Sequence, residues 1–268
     1  MEKDNLDTAS RCIQQAIKAK LRGNLADAEN FYTRAVALEP DHADAHEALA
    51  ALYFERKQYD LAADSYLQLI SIDANRAFGH FRLGRIAEMQ QRWADAIGSY
   101  RYAIQLNPQD FLAYQQLAEV QFSQEDFAAA KQSYQQAIDL GSKTPWLHAK
   151  LANIAQREGQ LDEAIAHLET AISLNPKNPG FWLTCGDLYT KQAQLSSAAK
   201  AYGEALKLAP ANLRAHQGLG NIAFQQKEFS TAKEHYEQVI ALGASSPWNH
   251  FRLGRIAQWD KRYEAAIP

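Results

Sequence analysis

Cysteine is nearly missing. Cys12 and Cys185 are the two in 268 residues, far apart and without a CxxC partner. That excludes a disulfide framework and favours a reducing compartment, so the expected location is cytoplasmic. Both thiols read as small buried hydrophobes. Proline and glycine are sparse, at 8 and 13 residues, and the abundant Ala, Gln and Leu favour helix. Positive charge is not in excess: 28 Lys and Arg stand against 31 Asp and Glu, a formal net charge of −3. No global field therefore draws the chain to nucleic acid or an anionic membrane. No apolar run is long enough to span a bilayer, and the first ten residues, MEKDNLDTAS, are too polar for a secretory signal. No nucleophile triad, phosphate loop or paired-carboxylate motif has a supporting strand or turn. The segment is expected to be non-enzymatic, with no cofactor and no metal.

What the chain has is repetition. The octapeptide HFRLGRIA occurs at His80–Ala87 and again at His250–Ala257, 170 residues apart, which is five times 34. A 34-residue frame starting at Ala9 continues without insertion or deletion through Ala43, Ala77, Phe111, Pro145, Pro179, Leu213 and Pro247. Position 20 of the frame is alanine in all eight repeats, from Ala28 to Ala266. Position 8 is always small: Ala16, Ala50, Gly84, Ala118, Ala152, Gly186, Gly220 and Gly254. Position 24 is tyrosine except for Leu168, and position 32 is proline at Pro40, Pro108, Pro176 and Pro210. Positions 4, 7, 8 and 11 have the spacing of one helix face, and 17, 20, 24 and 27 that of a second. Small residues at 8 and 20 let two helices approach closely, large ones fill the space around the crossing, and proline ends the second helix.

This pattern resembles the tetratricopeptide repeat family. The resemblance covers residues 9–268, after a leader of residues 1–8, and the last repeat is cut short. It implies an all-α, right-handed superhelical solenoid of antiparallel helix pairs with a concave groove. Gly141 and Gly243 replace the proline stop with left-handed helix ends. Thr144 and Ser246 are expected to cap the helices that follow, with Pro145 and Pro247 in first position.

Five of the eight histidines occupy position 4: His46, His80, His148, His216 and His250. Successive repeats stack at ~8–10 Å, whereas zinc gathers its ligands at ~2.0–2.3 Å from one point. The histidines are therefore expected to pack as planar substitutes for the family's aromatic, in the core, and to bind no metal.

The resemblance places positions 2, 5, 6, 9, 12 and 13 of each first helix along the groove. The candidate binding residues are Phe78, Phe81, Arg82 and Arg85 in repeat three, and Gln116 in repeat four. Repeats five and six add Trp146, Lys150, Asn153, Arg157 and Lys191, and repeat eight adds Trp248, Phe251, Arg252 and Arg255. Aromatics with arginines on a solvent-facing helix side are typical of binding surfaces. In repeats three to five the cations outweigh Glu88 and Glu119, so the stretch is expected to be basic. The carboxylate clamp of chaperone-binding members is met only by Lys150 and in part by Gln116, and the asparagine ladder of one glycosyltransferase at position 6 is absent.

The expected function is an interaction scaffold holding an extended protein or peptide segment with acidic residues. The alternative is a helper array of a larger bacterial enzyme, such as a glycosyltransferase or sulfotransferase, recruiting substrate or mediating dimerisation. Nucleic acid is disfavoured by the acidic total and the groove glutamates. Because repeat eight stops at Pro268 within its expected second helix, the chain reads as a piece of a longer protein, prone to self-association through Leu253, Ile256 and Trp259.

Overall fold

A computed structural model describes residues 8–244 and 246–264. Among these residues there are fifteen helices and no strand. The chain divides into two compact units, residues 1–142 and 143–268. The first holds α1 (Ala9–Leu21), α2 (Leu25–Leu38), α3 (Ala43–Glu55), α4 (Tyr59–Ile72), α5 (Ala77–Met89), α6 (Trp93–Leu106), α7 (Phe111–Ser123) and α8 (Phe127–Asp139). The second holds α9 (Pro145–Arg157), α10 (Leu161–Leu174), α11 (Pro179–Lys191), α12 (Leu195–Leu208), α13 (Leu213–Gln225), α14 (Phe229–Ala241) and α15 (Pro247–Glu264). Within each unit every helix packs on its neighbours in sequence, so each unit is a stack of helix pairs, one pair per 34-residue repeat up to the single helix α15. The expected fold class is the one observed.

The crossing inside each repeat follows from residue size. Every described position-20 alanine, from Ala28 to Ala232, is fully buried. The position-24 ring lies over the small residue at position 8. The fit is tightest around Tyr202, where a Cβ added to Gly186 would sit 2.7 Å from the ring and one added to Gly218 would sit 2.5 Å from it. Glycine there is a requirement of space: the ring has backbone on both faces.

The core face differs from the expected one in two respects. Position 4 is not a core position: His80, His148 and His216 are half-buried and His250 is exposed, although His46 is buried. Position 10 is core instead, with Leu52, Ile86, Val120, Ile154, Leu188, Ile222 and Ile256 all buried. Position 3 joins it through Ala45, Ala113, Leu147 and Ala215. The reason is geometric: a first helix is wedged between its own second helix and that of the preceding repeat, so two adjoining stripes are covered. Cys12 and Cys185 are both buried and free. Cys185 replaces the leucine found at position 7 in most repeats, and a cavity of about 310 Å³ lined by Trp182, Cys185 and Tyr189 lies beside it. Burial pushes its thiol up to about 11, which makes it a poor nucleophile.

Helix ends carry the remaining information. Gly141 (φ 97°) and Gly243 (φ 86°) are left-handed as expected, and the Ser246 hydroxyl accepts from the Asn249 amide at 3.3 Å, whereas Thr144 stands at the N-cap of α9 without a side-chain cap hydrogen bond. Position 15, between the two helices of a repeat, is also left-handed. Gly23 and Gly159 suit it, but Lys57, Gln91, Glu125, Ala193 and Lys227 hold the same conformation with a side chain. Repeat eight departs from the pattern: Lys261, at position 15, stays helical, and α15 runs on to Glu264 as one helix. The expected break into a second helix is thus not made there, and Ala266 lies outside the described residues.

Four substitutions test this register. Ala193→Gly relieves a left-handed alanine, whose strain is about 1 kcal/mol. It should raise the urea midpoint by an amount equivalent to about 0.5–1 kcal/mol, whereas Gly159→Ala should lower it comparably. Ala164→Glu forces a charge into the helix crossing and should cost about 3 kcal/mol or more. Lys177→Glu, in an exposed loop, should stay within about 0.5 kcal/mol of the parent.

Candidate functional site

In four repeats the open side of the first helix is tied to the core by the tyrosine at position 24. Its ring is buried, and its hydroxyl reaches a polar side chain on the open face. Tyr100 donates to Glu88 at 2.8 Å, Tyr202 to Asp187 at 2.6 Å and Tyr236 to the Asn221 Oδ1 at 2.9 Å, while Tyr134 donates to Glu119. Three of these four acceptors are at position 9, and Arg214 adds an ion pair to Asp187. Burial, reinforced by the facing carboxylate, pushes the Tyr100 and Tyr134 hydroxyls far above their ordinary value. They remain donors across the physiological range.

In the first unit, Arg82 lies over two rings, 4.8 Å from the centre of Phe78 and 5.5 Å from that of Phe54. Phe78 precedes it by one turn of α5, and Phe54 belongs to α3 of the preceding repeat. Arg85 lies 3.7 Å from Glu88, so part of the expected basic stretch is neutralised within the helix. Phe81 is not an open groove residue: its ring packs on Tyr100 at 5.7 Å and adjoins the core. Gln116 is half-buried on α7.

In the second unit the same arrangement recurs. Arg252 lies 4.2 Å from the Phe224 ring centre and 4.4 Å from that of Trp248. Phe251 stacks beside Trp248 at 6.0 Å. Trp248 and Phe251 are 48% and 54% exposed, against 40% for Phe78 in the first unit. Arg255 is exposed one turn further along α15. On α9, Arg157 donates to the Asn153 Oδ1 at 3.0 Å, and Trp146 and Lys150 are half-buried on the same helix. Lys191 is exposed at the end of α11. The predicted residues therefore form separate groups. Phe54 and Phe224, missed in the sequence, complete the two arginine sandwiches. The signal was present: each stands at position 12, 28 residues before its arginine.

The position-4 side chains have a different task. His46 Nε2 lies 2.8 Å from the Pro40 carbonyl, Trp182 Nε1 donates to the Pro176 carbonyl at 3.0 Å, and His216 Nε2 lies 3.0 Å from the Pro210 carbonyl. Asn249, at position 3, donates to the Ala244 carbonyl at 3.1 Å. In each case a ring or amide N–H ties a repeat to the position-32 carbonyl before it. Two of the histidines also pair with a second histidine at position 23. His148 and His167 approach at 3.3 Å between Nδ1 atoms, and His216 and His235 at 3.0 Å. A carbonyl only accepts, so His216 carries its proton on Nε2, and its Nδ1 accepts from His235.

Burial, then the facing histidine, lowers the pKa of His148 and of His235, with Glu234 opposing in the second case. Glu163 lies 3.9 Å from the outer nitrogen of His167. Among the described residues no group of three or more His, Cys, Asp or Glu side chains is placed to hold a metal, and no helix is long and apolar enough to cross a membrane.

The chain was compared with known proteins. Family profiles described as "Tetratricopeptide repeat" match residues 13–77, 77–110, 112–142 and 183–247, and one described as "TPR repeat" matches 156–192. No curated protein matches the chain. Among solved structures, the C-terminal part of a TPR repeat-containing protein from Cytophaga hutchinsonii is similar with a TM-score of 0.76 at 16% identity, over 90% of this chain and 99% of that one. YrrB, described as a TPR protein with an unusual peptide-binding site, is similar with a TM-score of 0.62 at 17% identity, over 75% of this chain and 99% of that one. MamA is similar with a TM-score of 0.58 at 20% identity, over 63% and 92%.

The histidine pairs make stability depend on pH. The lowered folded pKa values of His148 and His235 mean that, as pH falls below the ordinary value of 6.5, the unfolded chain takes up protons first. The contribution is complete above that value and lost as pH falls towards the folded pKa. The urea midpoint should therefore drop as the solution is acidified. The double substitution His148→Tyr with His167→Ser, which copies Tyr114 and Ser133 of repeat four, should flatten that dependence.

Proposed function

The chain belongs to the tetratricopeptide repeat family, and from that premise we propose that it is a non-catalytic scaffold holding an extended protein segment along the open face of its first helices. The observation that carries this reading is the arginine stacked between aromatic rings, built twice by the same octapeptide around Arg82 and Arg252. Exposed aromatic surface beside a cation has a cost in water that a partner offsets on binding. In this reading arginines and lysines pair with carboxylates, Asn and Gln side chains bond the ligand backbone, and Phe78, Trp248 and Phe251 cover apolar side chains. The peptide-binding site named for YrrB, a protein of the same fold, supports a peptide as the ligand.

The test uses random peptides displayed on phage and selected on the wild-type protein. Reversing both sandwiches, Arg82→Glu with Arg252→Glu, should weaken binding of the selected peptides by about tenfold or more. Arg34→Glu, on α2, should leave it unchanged, with helical circular dichroism preserved in both variants. Equal loss in the two variants, or loss in neither, removes the open face from the function.

A further inference from the structure

We propose that the pocket between α13, the turn after it and α15 is an oxyanion site, taking an acidic side chain from an extended partner segment whose next residues are apolar. This deepens the scaffold reading and rests on it. The pocket has a volume of about 610 Å³. Among the described residues its charged lining is Lys227, Arg252 and Arg255, and no acidic residue lines it. Among the described residues neither arginine makes an ion pair or hydrogen bond, and the Arg252 Nε is buried without an acceptor.

The geometry points to the ligand's shape. A guanidinium offers its donors in its own plane. Both faces of Arg252 are occupied, by Phe224 at 4.2 Å and Trp248 at 4.4 Å. What remains is the in-plane edge, which suits a planar carboxylate bound through two parallel hydrogen bonds. Asn221 borders the same pocket. Its carbonyl oxygen is taken by the Tyr236 hydroxyl, so it presents its amide hydrogens, again as donors. Phe229 and Trp248 give the apolar wall against which a neighbouring side chain can lie.

The second copy of the octapeptide sharpens the argument. In repeat three Arg85 has Glu88 at 3.7 Å. The counterpart of Glu88 in repeat eight is Gln258. The second arginine of the octapeptide is thus answered from within the protein at α5, while its copy at α15 awaits an external anion. Three cations at one spot suit a single carboxylate-bearing segment. A nucleic-acid backbone asks instead for a run of cations along its track.

Fluorescence anisotropy with a labelled alternating Glu-Phe octapeptide tests the proposal, with the Gln-Phe octapeptide and an oligothymidylate of matching length as comparison probes. The Glu-Phe probe should bind about tenfold or more tighter than the Gln-Phe probe and weaken as salt is raised. Arg255→Gln, at an exposed position, and Arg252→Gln should each remove most of that preference. Arg255→Lys should retain it and Arg252→Lys should not, because only the stacked position needs a planar fork. Arg34→Gln, on α2, should have no effect. Equal binding of the two peptides, indifference to both Arg252→Gln and Arg255→Gln, or tighter binding of the oligothymidylate would overturn the assignment. Display-selected peptides that depend on the open face but not on Arg252 or Arg255 would sink this site and leave the scaffold reading standing.

Discussion

The close crossing of two helices within each repeat is the constraint on which the rest depends. Alanine at position 20 and a small residue at position 8 bring the backbones together, and one large ring at position 24 fills what is left. A packed ring of this kind buries a large apolar area and excludes neighbours of the wrong size. Tyr202, held between Gly186 and Gly218, shows how little tolerance there is. Because the ring ends in a hydroxyl, the same residue carries the core's geometry out to the open face, where Glu88, Glu119, Asp187 and Asn221 receive it. These polar side chains of the open face are thereby held by the core as well as by each other.

Much of this was legible in the sequence, for a physical reason. A repeat array presents the same packing problem eight times, so the residues that solve it recur at a fixed period. The alanine and tyrosine columns stand out without any knowledge of the fold. Position 10 was missed although its aliphatic column is nearly as regular, because one helix face was sought where the stack covers two adjoining stripes. The histidines were read rightly as structural and wrongly as core. Their partners at position 23, and the carbonyls they meet at position 32, lie on other helices, and spacing along one helix does not reveal them. The aromatic partners of Arg82 and Arg252 were hidden in the same way, since Phe54 and Phe224 belong to preceding repeats.

The left-handed residues between paired helices illustrate a further gap. Glycine at Gly23 and Gly159 marks the conformation, but five other repeats adopt it with Lys, Gln, Glu or Ala. Tertiary packing over-determines the turn, and the local preference is overridden at a modest cost. Repeat eight, with Lys261 at this position, has a continuous helix in place of the turn. The residue at position 15 therefore permits the break between helices, while the packed second helix enforces it.

The links from His46, Trp182, His216 and Asn249 to the carbonyl before each helix pair bear on how such a chain can be rearranged. Each link spans a boundary between repeats, so the donor belongs to one unit and the acceptor to the one before it. A carbonyl is supplied by any residue, proline included, whereas the donor must be a ring or amide nitrogen at one of two positions. The joint is thus indifferent to the identity of the upstream unit and demanding of the downstream one. Duplication, deletion or transplantation of whole repeats keeps the joint intact so long as the incoming unit brings its own nitrogen. That asymmetry gives these four joints a polarity of assembly, in which the downstream repeat carries the fastener and its predecessor supplies only backbone.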